Sequence, residues 1–285
     1  MIRHFLFCAV TAVAIALPNY ASAGVVIFDD DFTAVEGFTD GGLALQNGYV
    51  AQVPYSVTNS AGTGEVVAAT PGFTRFTADA PSSRIDFTTL AVGDMVILDL
   101  FDFSGTTGTN NQLGVLGFTT LTGANPPENP GGNGNSQLGG QLTSNDGVNY
   151  FIDEGTFGVS GGAIDTGIAL GTAIDYQVKV TNAGGGLYDV LQTVQLAGGG
   201  GAVTRLDTGV SDAGNGNFVA PGTANLDDNV AAIFQTQNGA VANVSIGRFR
   251  GETVTAANSA VPEPSSLGLL GLGLAGVLSR RRRKS

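Results

Sequence analysis

Two clusters of carboxylates are the side chains best placed by type and spacing to do chemistry: Asp29, Asp30 and Asp31, and Asp227 and Asp228 followed by Asn229. Contiguous Asp and Asn side chains, with loop carbonyls, supply the hard oxygen ligands that Ca²⁺ takes. Neither run has the spacing of an EF-hand loop, and the Gly-rich residues 131–135 lack the aspartate of a Ca²⁺-binding nonapeptide. The expectation is therefore solvated loop carboxylates and no cofactor, with a structural Ca²⁺ as the one metal these residues could take. Glycoside hydrolysis needs two carboxyls a few ångströms apart. Between the terminal segments the glutamates are Glu36, Glu65, Glu128, Glu154 and Glu252, no two closer than 26 positions, so no strand presents such a pair. The only histidine, His4, and the only cysteine, Cys8, lie at the extreme N-terminus.

That N-terminus has a basic start (Arg3, His4), an apolar run over residues 5–17 and small residues at Ala21 and Ala23. This is the layout of a secretory signal peptide, with cleavage expected between Ala23 and Gly24. The run is shorter than the ~20 residues that span a bilayer. Cleavage would remove both His4 and Cys8, leaving no disulfide, no His/Cys metal cluster and no histidine-dependent triad. The protein is not expected to be an enzyme.

At the other end stand Pro262, Glu263 and Pro264, then a 12-residue apolar run over residues 267–278, then Arg280, Arg281, Arg282, Arg283 and Lys284. As a helix that run would extend about 18 Å against a hydrocarbon core of ~30 Å, a marginal anchor. The basic cluster should stay cytoplasmic, orienting residues 24–261 to the far side of the membrane. The three parts in this order resemble the PEP-CTERM sorting signal. That resemblance implies recognition through Pro262, Glu263 and Pro264 by a membrane-embedded exosortase, cleavage nearby, and outward passage, often in bacteria that make exopolysaccharide. It implies as partners the exosortase and the general secretion machinery, with transient inner-membrane anchoring before release to the cell surface or beyond.

Residues 24–261 hold 6 basic and 23 acidic side chains, a net charge of -17. So acidic a body repels phosphate backbones, which argues against nucleic acid. Short β-branched and aromatic runs separated by Gly, Asn, Asp, Ser and Thr give an all-β pattern. In residues 174–181, Ile174, Tyr176, Val178 and Val180 alternate with polar residues, predicting one buried and one wet face. Residues 182–186 read as a turn and 187–196 as the returning strand. Residues 95–103 read as a central strand covered on both faces. Further strands are expected at 25–28, 48–53, 65–69, 72–76, 84–87, 113–118, 149–152, 230–235 and 243–249. Residues 123–140 read as a long surface loop, and 198–201 as a second break.

The fold expected is all-β: a single antiparallel β-sandwich over residues 24–257, between a signal peptide (1–23) and a sorting tail (258–285) that contains the short apolar helix. The texture of residues 24–255 is similar to that of concanavalin-like jelly rolls. Glucanases of that architecture that resemble laminarinases carry Glu-x-Asp-x-x-Glu on one strand, a motif absent here. Sugars stack on aromatic rings, and with no tryptophan the available rings are Tyr49, Tyr55, Tyr150 and Tyr188, each with an ordinary explanation as a strand residue whose hydroxyl reaches the surface. The function expected is a non-catalytic cell-surface or extracellular-matrix protein. The alternative is a weak carbohydrate-binding module associated with exopolysaccharide, followed by a carboxylate-dependent glycosidase. An ice-binding surface needs a regular array of Thr, and Thr is irregularly placed.

Overall fold

The alternation at residues 174–181 is realised side chain by side chain: Ile174, Tyr176, Val178 and Val180 are buried, and the polar residues between them are not. A strand with one apolar face needs a covering layer, and two sheets supply it. The computed structural model describes residues 24–51, 55–60, 63–71, 74–78, 80–107, 111–120, 137–153, 162–211, 230–236 and 241–256. The first sheet contains β1 (Val25–Asp30), β2 (Gly41–Gly42), β4 (Ser56–Ser60), β5 (Thr63–Pro71), β7 (Met95–Thr106), β12 (Ile174–Gly184), β13 (Leu187–Leu196), β14 (Val203–Ser211), β16 (Val241–Ile246) and β17 (Arg248–Val254). The second contains β3 (Tyr49–Ala51), β6 (Thr74–Ala78), β8 (Asn111–Thr120), β9 (Gln137–Ser144), β10 (Asn149–Asp153), β11 (Ile164–Ala169) and β15 (Val230–Thr236).

In the first sheet the order is β14-β13-β12-β7-β16-β5-β4-β2, with β17 lying between β7 and β1; in the second it is β11-β10-β9-β8-β15-β6-β3. Every pairing is antiparallel. The chain crosses repeatedly between the layers, as in a jelly roll, and Gly24–Ala260 form one compact unit. Phe76 sits among Tyr49, Tyr55, Phe234 and Phe249 at ring separations of 5.0–5.9 Å, so aromatic rings from both sheets fill the interior.

Three buried tyrosines pin one layer to the other. Tyr49 on β3 donates to Asp30 on β1 (2.8 Å). Tyr150 on β10 accepts from the Gly105 and Gly171 amides (2.9 and 3.2 Å). Tyr176 on β12 donates to Gln192 Oε1 (2.7 Å), which also accepts from the Gln141 amide on β9 (2.9 Å). Each burial of a hydroxyl is thus compensated by a partner. Tyr49, Tyr55 and Tyr150 are 0–2% exposed and Tyr188 is half-buried, so of the four hydroxyls expected at the surface those of Tyr49 and Tyr150 are instead interior struts.

Several expected elements differ. β7 is central, paired with β12 on one edge and with β17 and β16 on the other. Its outer face is only partly covered, however: Ile97 and Phe101 are half-buried, while Asp99 is buried and held by Gln177 Nε2 at 2.8 Å. Residues 84–87 are not a strand, because the Asp86 carboxylate takes the Thr88 amide (2.9 Å) and starts the 3₁₀ turn Phe87–Thr89. Of the loop expected over 123–140, residues 137–140 belong instead to β9, and residues 123–136 lie outside the described residues. The run 243–249 divides at Gly247 into β16 and β17. The short apolar helix expected over residues 267–278, like all of residues 257–285 and 1–23, lies outside the described residues.

Candidate functional site

Two adjoining clefts open along β5, β7 and β16, and Ser245 on β16 lines both. Ser245 lies between buried Val244 and Ile246, so alternation turns it outward. The larger cleft, about 590 Å³, is lined by Ser56, Val67, Ser104, Thr106 and Asn243 as well. The smaller, about 440 Å³, is more polar: Asp31, Glu65, Asp102 and Arg248 converge on it.

The local backbone explains why these groups converge. Asp102 occupies the left-handed region (φ 52°), in a bulge where three steps along β7 match two along β12. Opposite it, Gly247 donates its amide to the Phe101 carbonyl (3.1 Å). A Cβ at Gly247 would stand 2.9 Å from that of Asp102. A Cβ at Gly64 would come within 2.2 Å of the Phe32 carbonyl carbon and oxygen, so only glycine allows β5 to approach the turn after β1.

The carboxylates divide by environment. Asp29 receives Arg248 through Nε and Nη2, both at 2.6 Å, and Arg248 lies over the Phe101 ring at 5.1 Å. Asp29 thereby holds the guanidinium above its usual range. Asp31 accepts from the Thr33 hydroxyl (2.6 Å) and amide (3.1 Å), which lowers its pKa. Asp30 points inward to Tyr49, and burial raises its pKa against that hydrogen bond. Glu36 accepts the Asp31 amide (2.8 Å). Desolvation of its carboxyl, aided by Asp31 and Asp30, pushes it to about 7. Glu65 is tied to Ser245 and to Thr58 (3.1 Å).

Of the carboxylates expected to matter, Asp29, Asp30 and Asp31 are adjacent in sequence but engage three different partners. Asp227 and Asp228 lie outside the described residues, as do Ala23, Pro262, Glu263, Pro264, Arg280, Arg281, Arg282, Arg283 and Lys284. Among the described residues no three of His, Cys, Asp and Glu are positioned to hold a metal ion. Sequence reading missed Glu65, Asp102, Ser245 and Arg248 because up to 217 positions separate Asp31 from Arg248 and only the sheet order brings them together. Gly24, expected to be the first residue after signal cleavage, stands beside Thr253 and Val254.

No curated protein matches the chain. Among solved structures, peanut lectin is 12% identical, with 80% of this chain and 96% of the lectin covered and a TM-score of 0.49. Lectin II from Ulex europaeus is 13% identical over 80% and 97%, at 0.49. A carbohydrate esterase from Shiga toxin-encoding bacteriophage phi24B is 16% identical over 82% and 100%, at 0.47. Among the described residues no helix is long and apolar enough to cross a membrane. Residues 260–284 match the PEP-CTERM protein-sorting motif, so this chain carries the C-terminal signal that marks a protein for export and exosortase-type sorting.

Proposed function

We propose that the protein is an exported, non-catalytic β-sandwich of the cell surface or extracellular matrix, anchored transiently by its tail and cut by an exosortase near Pro262, Glu263 and Pro264. The observation that carries this reading is the sorting motif over residues 260–284. The acidic body is consistent with it, since a net charge of -17 over residues 24–261 favours solubility outside the cell. The test is the mass of the protein from cells with and without the exosortase. The expected result is a C-terminally shortened species only when the peptidase is present, lost when all three motif residues are replaced by Ala. An unchanged mass in both strains refutes the reading.

A second reading is weak binding of extracellular polysaccharide in the paired clefts. It is favoured by their continuity through Ser245 and by hydroxyl, amide and charged groups around a floor that includes Val67. Such alternation of apolar floor and fixed polar groups suits a polyhydroxylated ligand. Binding to the producer's own exopolysaccharide, weakened at least several-fold by S245A with D102A and unchanged by a variant remote from the clefts, is the expected result.

A further inference from the structure

The cut expected between Ala23 and Gly24 changes the charge of one atom of the folded body. In the uncut chain the Gly24 nitrogen is a neutral amide, and after the cut it is an ammonium. β1 runs along β17, with Val25 opposite Thr253 and Val26 opposite Glu252, so Gly24 lies over the end of the body's last strand. A Cβ at Gly24 would stand 2.9 Å from Val254 Cγ2, 3.0 Å from the Thr253 carbonyl oxygen and 3.1 Å from Glu252 Cδ. Glycine is needed here for space. The nitrogen on the same Cα is about 2.5 Å from that Cβ position, which puts it at most about 5.6 Å from the Glu252 carboxyl carbon. A turn of the Glu252 side chain closes what remains of that distance.

Glu252 has a free oxygen for a second cation. Its side chain is 15% exposed, and Arg250 Nη2 donates to its Oε2, which leaves Oε1 without a partner among the described residues. Arg250 is also divided. It faces Asp29 at 3.8 Å, and it lies opposite Asp99, where with Gln177 it opposes the burial that raises the pKa of that carboxyl. Arg248 is committed to Asp29. Lys179 lines up with Glu252 only across Ile97 of β7, two strand spacings or ~10 Å away. One guanidinium therefore serves three carboxylates, in a body that is strongly acidic throughout.

We propose that the α-ammonium created on Gly24 by signal cleavage pairs with the Glu252 carboxylate and the Thr253 carbonyl, so that removal of the signal peptide fastens the first strand of the body to the last. The proposal rests on the expected cut after Ala23. β17 leads through Ala256 to Pro262 in six residue steps, so the N-terminal cut secures the strand from which the sorting tail departs. An ammonium that gains a carboxylate has its pKa raised above the ~7.7–8.0 of an unperturbed chain start. Its stabilisation is fully present below that value and is lost as pH rises through the raised one.

The test uses the exported chain, its first residue read by mass, beside a variant with one Gly inserted between Ala23 and Gly24. The insertion keeps the residue type at the start and moves the ammonium one step, ~3.4 Å, along the strand. The pKa of the α-amine is measured in each from the pH dependence of competitive acetylation at the first residue. The native amine is expected to titrate at least half a unit above that of the inserted Gly. E252Q should remove the difference by lowering the native value alone. Equal values in the two chains overturn the pair without touching Glu252, so the result holds even where E252Q fails to fold. A raised value that E252Q leaves in place assigns the ammonium to another acceptor and refutes Glu252 as its partner. A native chain that starts elsewhere than Gly24 overturns the expected cut, and this proposal with it.

Discussion

Replacing Gln192 by Leu should cost far more than the loss of one side chain's hydrogen bonds. Gln192 is fully buried between the layers. Its Oε1 accepts from the Tyr176 hydroxyl and the Gln141 amide, and its Nε2 donates to the Asp153 carbonyl at 2.7 Å. Leu is close in volume and leaves no large cavity, so the penalty comes from orphaned donors. Two buried N–H or O–H groups left without an acceptor cost ~1–3 kcal/mol each, about 2–6 kcal/mol together. Y176F removes one donor and leaves Gln192 its other partners, which should cost only ~0.5–1.5 kcal/mol. In the double variant Tyr176 no longer presents an orphaned hydroxyl, so the two changes should fall short of additivity by ~1–2 kcal/mol. Urea unfolding of the four proteins measures all three quantities, and at this size Q192L should also melt about 5–15 °C lower. Q192L no costlier than Y176F, or strict additivity, would falsify the strut.

Glu36, with its pKa pushed from 4.5 to about 7, binds its proton more tightly in the folded state. That contribution is fully present below the unfolded value and is lost as pH rises through about 7. E36Q should flatten the fall in stability over that window. Because the side chain is largely solvent-exposed, the gain at pH 8 should be no more than ~1 kcal/mol, read from urea midpoints at a series of pH values. G64A forces a Cβ into the Phe32 carbonyl and should destabilise by ~1–3 kcal/mol while opening the smaller cleft. G42A, with nothing within 4 Å of the new Cβ, should stay within ~0.5 kcal/mol of the parent.

The legible parts of the sequence were those where a physical pattern is local. The alternation of β12 follows from a period of two, its hairpin with β13 from the glycine turn between them, and the central place of β7 from a continuous apolar run, and the register Asp175 opposite Gln195 bears out the hairpin. The first half of β9, residues 137–140, falls within the loop expected from the Asn, Pro and Gly content of residues 123–140. In the sandwich Gly140 is a strand residue lying under Tyr176 and Gln192, where a Cβ would stand 2.3 Å from the tyrosine hydroxyl. The composition signals flexibility, while its cause is a strut on another strand. The tyrosines were misread for the same reason, since a phenol's partner across a sandwich leaves no mark near it in the chain. The sorting motif needs no long-range partner, and its residues were found where the motif lies. The clefts depend on a bulge at Asp102 and a break at Gly247, neither of which a hydrophobic pattern records.

The Asp29, Asp30 and Asp31 run shows how strand geometry decides chemistry that composition leaves open. Successive side chains on a strand point to opposite faces, so Asp29 meets Arg248 outside while Asp30 meets Tyr49 inside. Asp31 is already turning into the loop held by Thr33. For one Ca²⁺ to gather all three, the bidentate Arg248 pair would have to open and Asp30 would have to leave Tyr49, whose buried hydroxyl would then lack an acceptor at a cost of ~1–3 kcal/mol. Only a tightly held ion could offset both losses. The expectation is that D30A lowers the melting temperature by the same amount in millimolar Ca²⁺ as in chelator, because the lost contact is to Tyr49 in either case. Y49F should remove most of that difference, since D30A then has no hydroxyl to strand. If instead Ca²⁺ raises the melting temperature of the parent and D30A abolishes the rise, Asp30 faces an ion and the inward assignment is wrong. A rise that survives D30A unchanged would place the ion elsewhere and leave the three partners of this run intact.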